Sequence, residues 1–404
     1  MRALVYRFSP GGWLAARHLG GHLPGLAVAA SGLRLLDISA PVAPGPDWAG
    51  VRVRLAGVCG TDVATLRGRS GPQLSPFVSF PAVMGHEVLG VAEDGPYAGQ
   101  RVVLDPFLPC RTRGLPACPA CAAGQTAICQ RFAEGDLAPG MLLGFCRDLP
   151  GGWTERLMAH NAQLHAVPDG LPDETAVLAE PLAVALHAVY RDPPPSGARV
   201  LVVGAGTVGL CLVAAMRLLE TGAEIAVVAR HPRQRELAAA LGADEVLAGS
   251  AEAERLALRR GWGGVHAGLL GTRGFSGGFD QVYDAAGSAS AVATALRLTR
   301  AGGRAVLLGC SGVVPRCDLT AAWAHELRLE GFCGYGAEPA AGGRHTIDLA
   351  LGLMAAHPDV PVGSLVTHRF PLGRYREALK AAFFHRGSGS VKILLHPDGQ
   401  AGNC

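Results

Sequence analysis

The hydrophobic pattern divides the chain in two. Up to about residue 180, apolar residues come in short runs broken by Gly and Pro, such as Val51-Arg-Val-Arg-Leu55 and Gln100-Arg-Val-Val-Leu104. Such runs predict half-buried strands and a compact, mostly β unit. From Arg199 the pattern changes. Apolar runs at 200–203, 225–228, 279–283 and 304–308 predict strands, and stretches at 209–219, 233–241 and 291–298 predict helices between them. Strands alternating with helices imply a parallel, doubly wound sheet, so the fold class is α/β. A last strand is expected at 327–332, a helix near 346–354, and a strand-like tail at 390–395. Residues 9–30, 40–47 and 249–278 are rich in turn formers and are expected to be loop excursions.

Composition narrows the functional classes. At 404 residues, 49% hydrophobic, the chain can bury two or three sizeable cores. Lys plus Arg number 36 against 33 Asp plus Glu, a net charge of +3. That is too balanced for a nucleic-acid binder, which would carry a clustered basic face. The longest uncharged run, 200–216, has 17 residues and contains a glycine-rich turn, so a buried strand and helix explain it better than a membrane span. The start, Met1-Arg-Ala-Leu-Val-Tyr-Arg7, lacks an apolar signal core and reads as a first strand. The 11 cysteines then favour a reducing, cytoplasmic setting, with metal ligation ahead of disulfides.

The candidate chemistry lies in three groups of residues. The first is Cys59 in Cys59-Gly-Thr-Asp62, His86 and Glu87 in Gly85-His-Glu87, and Glu180 in Glu180-Pro-Leu182. Thiolate, imidazole and carboxylate are the ligand types of a catalytic zinc site that keeps one position open. Singly each is weak: His86 would more often be a core histidine, and Glu180-Pro181 a plain helix start. The second group is Cys110, Cys118, Cys121 and Cys129, in which Cys118-x-x-Cys121 puts two thiolates within reach of one ion. This reads as a closed structural zinc loop. The other cysteines (Cys146, Cys211, Cys310, Cys317, Cys333 and Cys404) show no spacing logic.

The third group is Gly204-Ala-Gly206-Thr207-Val208-Gly209, which follows an apolar strand and opens a helix, as a dinucleotide-binding turn requires. The acidic residue that grips the ribose of NAD belongs about 20 residues further on. That position holds Ala229, followed by Arg230, Arg233 and Arg235. A missing carboxylate beside arginines suits the 2′-phosphate of NADP, although the same arginines could be the solvated face of a helix.

Taken together, these motifs resemble the zinc-containing medium-chain alcohol dehydrogenases, over nearly the whole chain. The resemblance rests on Met1-Arg-Ala-Leu4, Cys59-Gly-Thr-Asp62, Gly85-His-Glu-Val-Leu-Gly90 and the cysteine loop. It continues through Glu180-Pro-Leu182, the glycine turn, Gly302-Gly-Arg304 and Gly389-Ser-Val-Lys392. Glu180 points to the polyol, threonine and glucose dehydrogenase branch. The resemblance implies a GroES-like catalytic domain at 1–184 with its zinc loop at 110–129, a Rossmann coenzyme domain at 185–335, and a return to the catalytic domain at 336–404.

It further implies that Cys59 and His86 bind the catalytic zinc, with Glu87 as ligand or close neighbour and Glu180 as ligand directly or through water. Thr61 would take the substrate proton, and Lys392 would contact the cofactor pyrophosphate. The expected activity is hydride transfer between a secondary alcohol, sugar or polyol and NAD(P), with NADP preferred and two zinc ions per chain. Pairing through 327–334 would make a homodimer or homotetramer. A zinc-free quinone or enoyl reductase and a catalytically silent NADPH-binding redox sensor are the alternatives. Three features depart from the family: Ala64 replaces a frequent relay histidine, Cys110 lies farther from Cys118 than the family's first loop cysteine, and 9–30 and 249–278 read as insertions.

Overall fold

The computed structural model describes residues 1–19, 23–310 and 312–399, in two compact units. Cys404 and residues 20–22 of the first insertion lie outside the described residues.

The first unit comprises Met1–Ala183, Gly334–Ala356 and Val366–Cys404. Its main sheet runs Val366–Pro371, Lys392–His396, Trp48–Gly57, Val88–Ala92, Arg101–Leu104, Leu164–Ala166, with Arg156–His160 also paired to Trp48–Gly57. A smaller sheet places Arg2–Tyr6 between Leu33–Asp37 and Ala82–Val83. Alternate residues of the long strand, Val51 and Val53, enter a core shared with Leu66, Met84, Val88, Trp153 and Leu395. The C-terminal strand antiparallel to Trp48–Gly57 returns the end of the chain to the segment that precedes Cys59.

The second unit comprises Val184–Cys333 and His357–Leu365. Its six-stranded sheet runs Glu245–Leu247, Glu224–Val228, Arg199–Val203, Phe279–Asp284, Thr299–Leu307, Arg328–Gly331, every pair parallel. Counting only these strands along the chain, the spatial order is 3-2-1-4-5-6, that of the dinucleotide-binding doubly wound fold. Val200, Leu201, Val202 and Ile225 have no measurable exposure, as strands covered on both faces must.

Two of the three expected excursions prove to be structured, while 40–47 forms no helix or strand. Residues 9–30 contain helices Pro10–Leu19 and Pro24–Ala30. Each begins with Pro, which is harmless where the first turn has no N–H partner to lose. Residues 249–278 form helix Ser250–Arg259, which buries Ala253, Leu256 and Ala257, and a hairpin of Gly263–Ala267 with Arg273–Gly277. No helix among the described residues is long and apolar enough to cross a membrane.

Candidate active site

Cys59 stands at the N-terminus of helix Gly60–Leu66, directly after the long strand. Asp62, fully buried three residues on, accepts a hydrogen bond at 2.9 Å from the Cys59 amide through Oδ2. This closes the helix start and fixes the thiol. His86 and Glu87 lie on the segment entering strand Val88–Ala92. Gly85 before them has φ +91, and a side chain there would overlap the Trp153 ring. Trp153 Nε1 in turn donates to Gly57 O at 3.1 Å.

The ligand atoms of Cys59, His86 and Glu87 lie within 4.8 Å of one another. His86 Nε2 is 3.5 Å from Thr61 Oγ1, and His86 Nδ1 is 3.5 Å from Asp62 Oδ1. Burial pushes the imidazole pKa down, but the Asp62 carboxylate and the Cys59 thiolate outweigh it and hold it well above the usual range. The cysteine motif alone gives Asp62 no role; its sequence signal is an acid three residues after the helix cap at Cys59.

Glu87 is buried and bonded through both oxygens to Lys392 Nζ, each at 2.6 Å, and Lys392 also reaches Val58 O at 3.4 Å. The carboxylate fits only because residue 57 is glycine; a side chain there would occupy its place. This differs from the expected role of Lys392. Its ammonium is 1% exposed and committed to Glu87 within the first unit, where desolvation demands a counter-charge, and is not displayed for a pyrophosphate. Burial lowers the Lys392 pKa, while Glu87 and Cys59 together raise it above its ordinary value.

Glu180 sits in the first turn of helix Ala179–Arg191, buried, and accepts a hydrogen bond from Tyr335 Oη at 3.2 Å. Burial, then the charge of Glu87, push its pKa up to about 7 against the opposing pull of His86 and Lys392. It lies outside the tight trio but close enough to share their charge. Nothing in the sequence pointed to Tyr335, whose ring edge packs on Phe107 and His345 at 5.5 and 5.8 Å.

The four loop cysteines converge, Cys110 included, with all Sγ atoms within 4.8 Å and Cys110 and Cys129 Sγ 3.6 Å apart. Main-chain amides of Cys118 and Arg131 donate to Cys110 and Cys129 Sγ at 3.4 Å each. Burial raises the Cys118 pKa, yet amide hydrogen bonds from Gln130 and Cys121 bring it down to about 6. Arg113, fully buried, gathers the loop by donating to the carbonyls of Leu108, Glu134, Leu137, Ala138 and Gly140 at 2.5–3.2 Å.

Both donor sets suit zinc. In a tetrahedral site with bonds of about 2.0–2.3 Å, donors lie about 3.3–3.8 Å apart, and the two clusters are compact enough to close to that spacing. His86 Nδ1 and Asp62 Oδ1 are buried without a true hydrogen-bond partner, facing each other. This carboxylate–imidazole pairing orients metal-binding histidines.

In the second unit, strand Arg199–Val203 runs into Gly204 with φ +110, and Gly206 caps helix Thr207–Leu218 with open space beside it. A side chain on Gly209 would overlap Gly204 O. The three glycines therefore have the geometry that a dinucleotide-binding turn requires: a tight turn, an open backbone and close packing. Thr207 and Val208 occupy the first helical turn. Ala229 is fully buried just past strand Glu224–Val228, Arg230 is exposed, and Arg233 pairs with Glu236 at 3.1 Å on the helix surface.

Residues 45–169 match the alcohol dehydrogenase GroES-like domain family and 207–355 the zinc-binding dehydrogenase family. The chain is 32% identical over 272 residues to L-galactonate-5-dehydrogenase of Escherichia coli, covering 66% of this chain and 70% of that protein. It is 30% identical over 375 residues to sorbitol dehydrogenase of Macaca fascicularis, covering 91% and 93%. A crystal structure of a zinc-binding dehydrogenase from Sinorhizobium meliloti bound to NADP superposes with a TM-score of 0.66 at 25% identity, covering 90% of this chain and 95% of that one.

Proposed function

The chain belongs to the zinc-containing medium-chain alcohol dehydrogenase family, and from that premise we propose that it oxidises a secondary carbinol of a sugar or polyol with NADP in preference to NAD. The single observation that carries this reading is the convergence of Cys59, His86 and Glu87, with Glu180 and its Tyr335 partner beside them. Relatives named for galactonate and sorbitol support the substrate class.

Cys59 and His86 would hold zinc, with Glu87 and Glu180 as further carboxylates and the four loop cysteines holding a second ion. The chemistry these groups supply when bound is Lewis-acid polarisation of an oxygen by zinc and acceptance of hydride by the nicotinamide.

The residues of the chain do the rest. Thr61 presents its hydroxyl beside His86 Nε2 and takes the substrate proton. Ala64 offers no side chain to relay that proton, so its exit falls to water or to Glu87. Asp62 fixes the His86 ring, and Lys392 balances the charge of Glu87 so that two carboxylates can share one buried site. The glycine turn and the Thr207–Leu218 helix N-terminus receive the pyrophosphate. Arg230 and Arg233 meet the 2′-phosphate, for which Arg233 would exchange its partner Glu236.

The edge strand Arg328–Gly331, with Leu329 and the nearby Trp323 exposed, is the surface through which we expect a dimer or tetramer to form. A turnover screen of secondary alcohols, sugars and polyols with both cofactors tests the proposal. Reduction of NADP by at least one polyol is expected, and turnover only of quinones or enoyl substrates would defeat it.

A further inference from the structure

The first insertion lies against the helix that starts at Cys59. Ser9 starts the insertion's first helix, its Oγ accepting from Gly12 N at 3.2 Å. One turn apart on that helix, Trp13 and Arg17 stack, with the guanidinium carbon 5.2 Å from the ring centroid. Arg17 Nη1 then donates to Gly68 O at 3.1 Å, just past the far end of helix Gly60–Leu66. Gly68 is buried with φ +62, and a side chain there would come within 2.7 Å of Trp13 O and 3.2 Å of Arg17 Cβ. The insertion is thus closed onto this one residue by a hydrogen bond, a stacked cation and close backbone approach.

The second inserted helix joins the same body. Ala27 and Val28 share the core with Leu66, Leu379 and Phe383. Gly25 packs on the Lys380 stem at 3.2 Å from its would-be Cβ. The main chain at the junction is bonded through Gly68 N to Thr65 O and Arg69 N to Ala64 O, at 3.0 and 2.7 Å, which leaves Gly68 O to Arg17.

We propose that Arg17, stacked on Trp13, is a positioning residue for the reaction. It holds helix Gly60–Leu66 from its far end, and through that helix sets where Cys59 and Thr61 stand. This rests on the reading of Cys59 as a metal ligand. A helix of this length is about 10 Å long, so a tilt of about 5° at the Gly68 end moves the Cys59 end by about 1 Å. Displacements of that size cost up to about a hundredfold in rate. The family resemblance does not account for the insertion; the contacts on Gly68 give it this task.

The test uses the cobalt-substituted enzyme, reading the thiolate-to-cobalt absorption that is lost in Cys59→Ser, together with steady-state kinetics. Arg17→Ala is expected to lower kcat about tenfold, leave the cofactor KM within about twofold, and shift the Cys59-dependent band. Arg17→Lys, which can still donate to Gly68 O, should restore both. An unchanged band with kcat within twofold would overturn the proposal, whatever happens to the melting temperature. If Arg17→Ala does not fold, Arg17→Met, which keeps an apolar stem against Trp13 but has no donor for Gly68 O, decides by the same two readouts. Absence of any Cys59-dependent band in the wild type would instead remove the metal reading, and this inference with it.

Discussion

Replacing Lys392 by Met should destabilise the first unit substantially while leaving cofactor affinity alone. Lys392 and Glu87 form an ion pair with side-chain exposures of 1% and 2%, so neither charge is screened by water. Deleting one partner of a buried pair strands the other and typically costs 3–5 kcal/mol. Here Glu87 would be left beside Cys59 and Glu180, with only His86 and a bound metal to oppose them. The cost should therefore be greater after chelation than in the zinc-loaded protein. For a domain of this size, about 4 kcal/mol corresponds to a fall in Tm of roughly 10 °C.

Urea denaturation of wild type, Lys392→Met, Glu87→Gln and the double variant gives the coupling. The double variant should be at least about 2 kcal/mol more stable than additivity of the single changes predicts, because it leaves no charge stranded. A cost under about 1 kcal/mol, with additive effects and a raised KM for NADP, would refute this reasoning. Lys392 would then serve the cofactor after all.

Other consequences are equally direct. Arg113→Met should lower stability by about 3–5 kcal/mol and loosen zinc in the cysteine loop, read by melting and by chelator competition, since five carbonyls lose their donor. Metal-free protein should lose stability as pH rises from about 4.5 to 7. Glu180 titrates near 4.5 unfolded and at about 7 folded, so the folded state holds the extra proton in that window. The contribution is present below about pH 4.5 and is lost by about pH 7, worth roughly 3 kcal/mol. Glu180→Gln should flatten that slope in a denaturation series, and an unchanged slope would contradict it. Ala229→Asp with Arg230→Leu should turn the cofactor preference towards NAD by about tenfold in kcat/KM, since one charge-assisted contact is worth about 1.5–3 kcal/mol. A wild type that already favours NAD would remove the role of the arginines.

What could be read from the sequence was what local spacing encodes. The glycine turn was legible because each glycine has a steric duty within six positions, and Gly209 against Gly204 O shows why no other residue serves. The four strands read from apolar runs, 200–203, 225–228, 279–283 and 304–308, appear within a few residues of their expected bounds. Strand Glu245–Leu247 was too short to leave a pattern. Helix Ser250–Arg259 was hidden by the glycines that follow it, although its apolar residues fall at helical spacing. Cys110 looked misplaced by counting, yet the turn Cys110–Arg113 ends at Gly114 with φ +66 and folds its sulfur back to Cys129. The partner of Lys392 is 305 residues away, and no spacing rule reaches that far. Arg113 and Tyr335 were silent for the same reason, because their meaning depends on which carbonyls and carboxylates the fold brings to them.

The central claim is that Cys59 belongs to a metal site that performs the reaction while the cysteine loop binds a separate, structural ion. The most direct measurement is zinc content alongside turnover and melting temperature in wild type and Cys59→Ser. The account predicts two zinc ions and NADP-linked polyol oxidation in the wild type. In Cys59→Ser it predicts one zinc ion, no turnover and a nearly unchanged Tm, because the loop ion remains to support the fold. Full turnover by Cys59→Ser, or by wild type carrying only the loop ion, would contradict it.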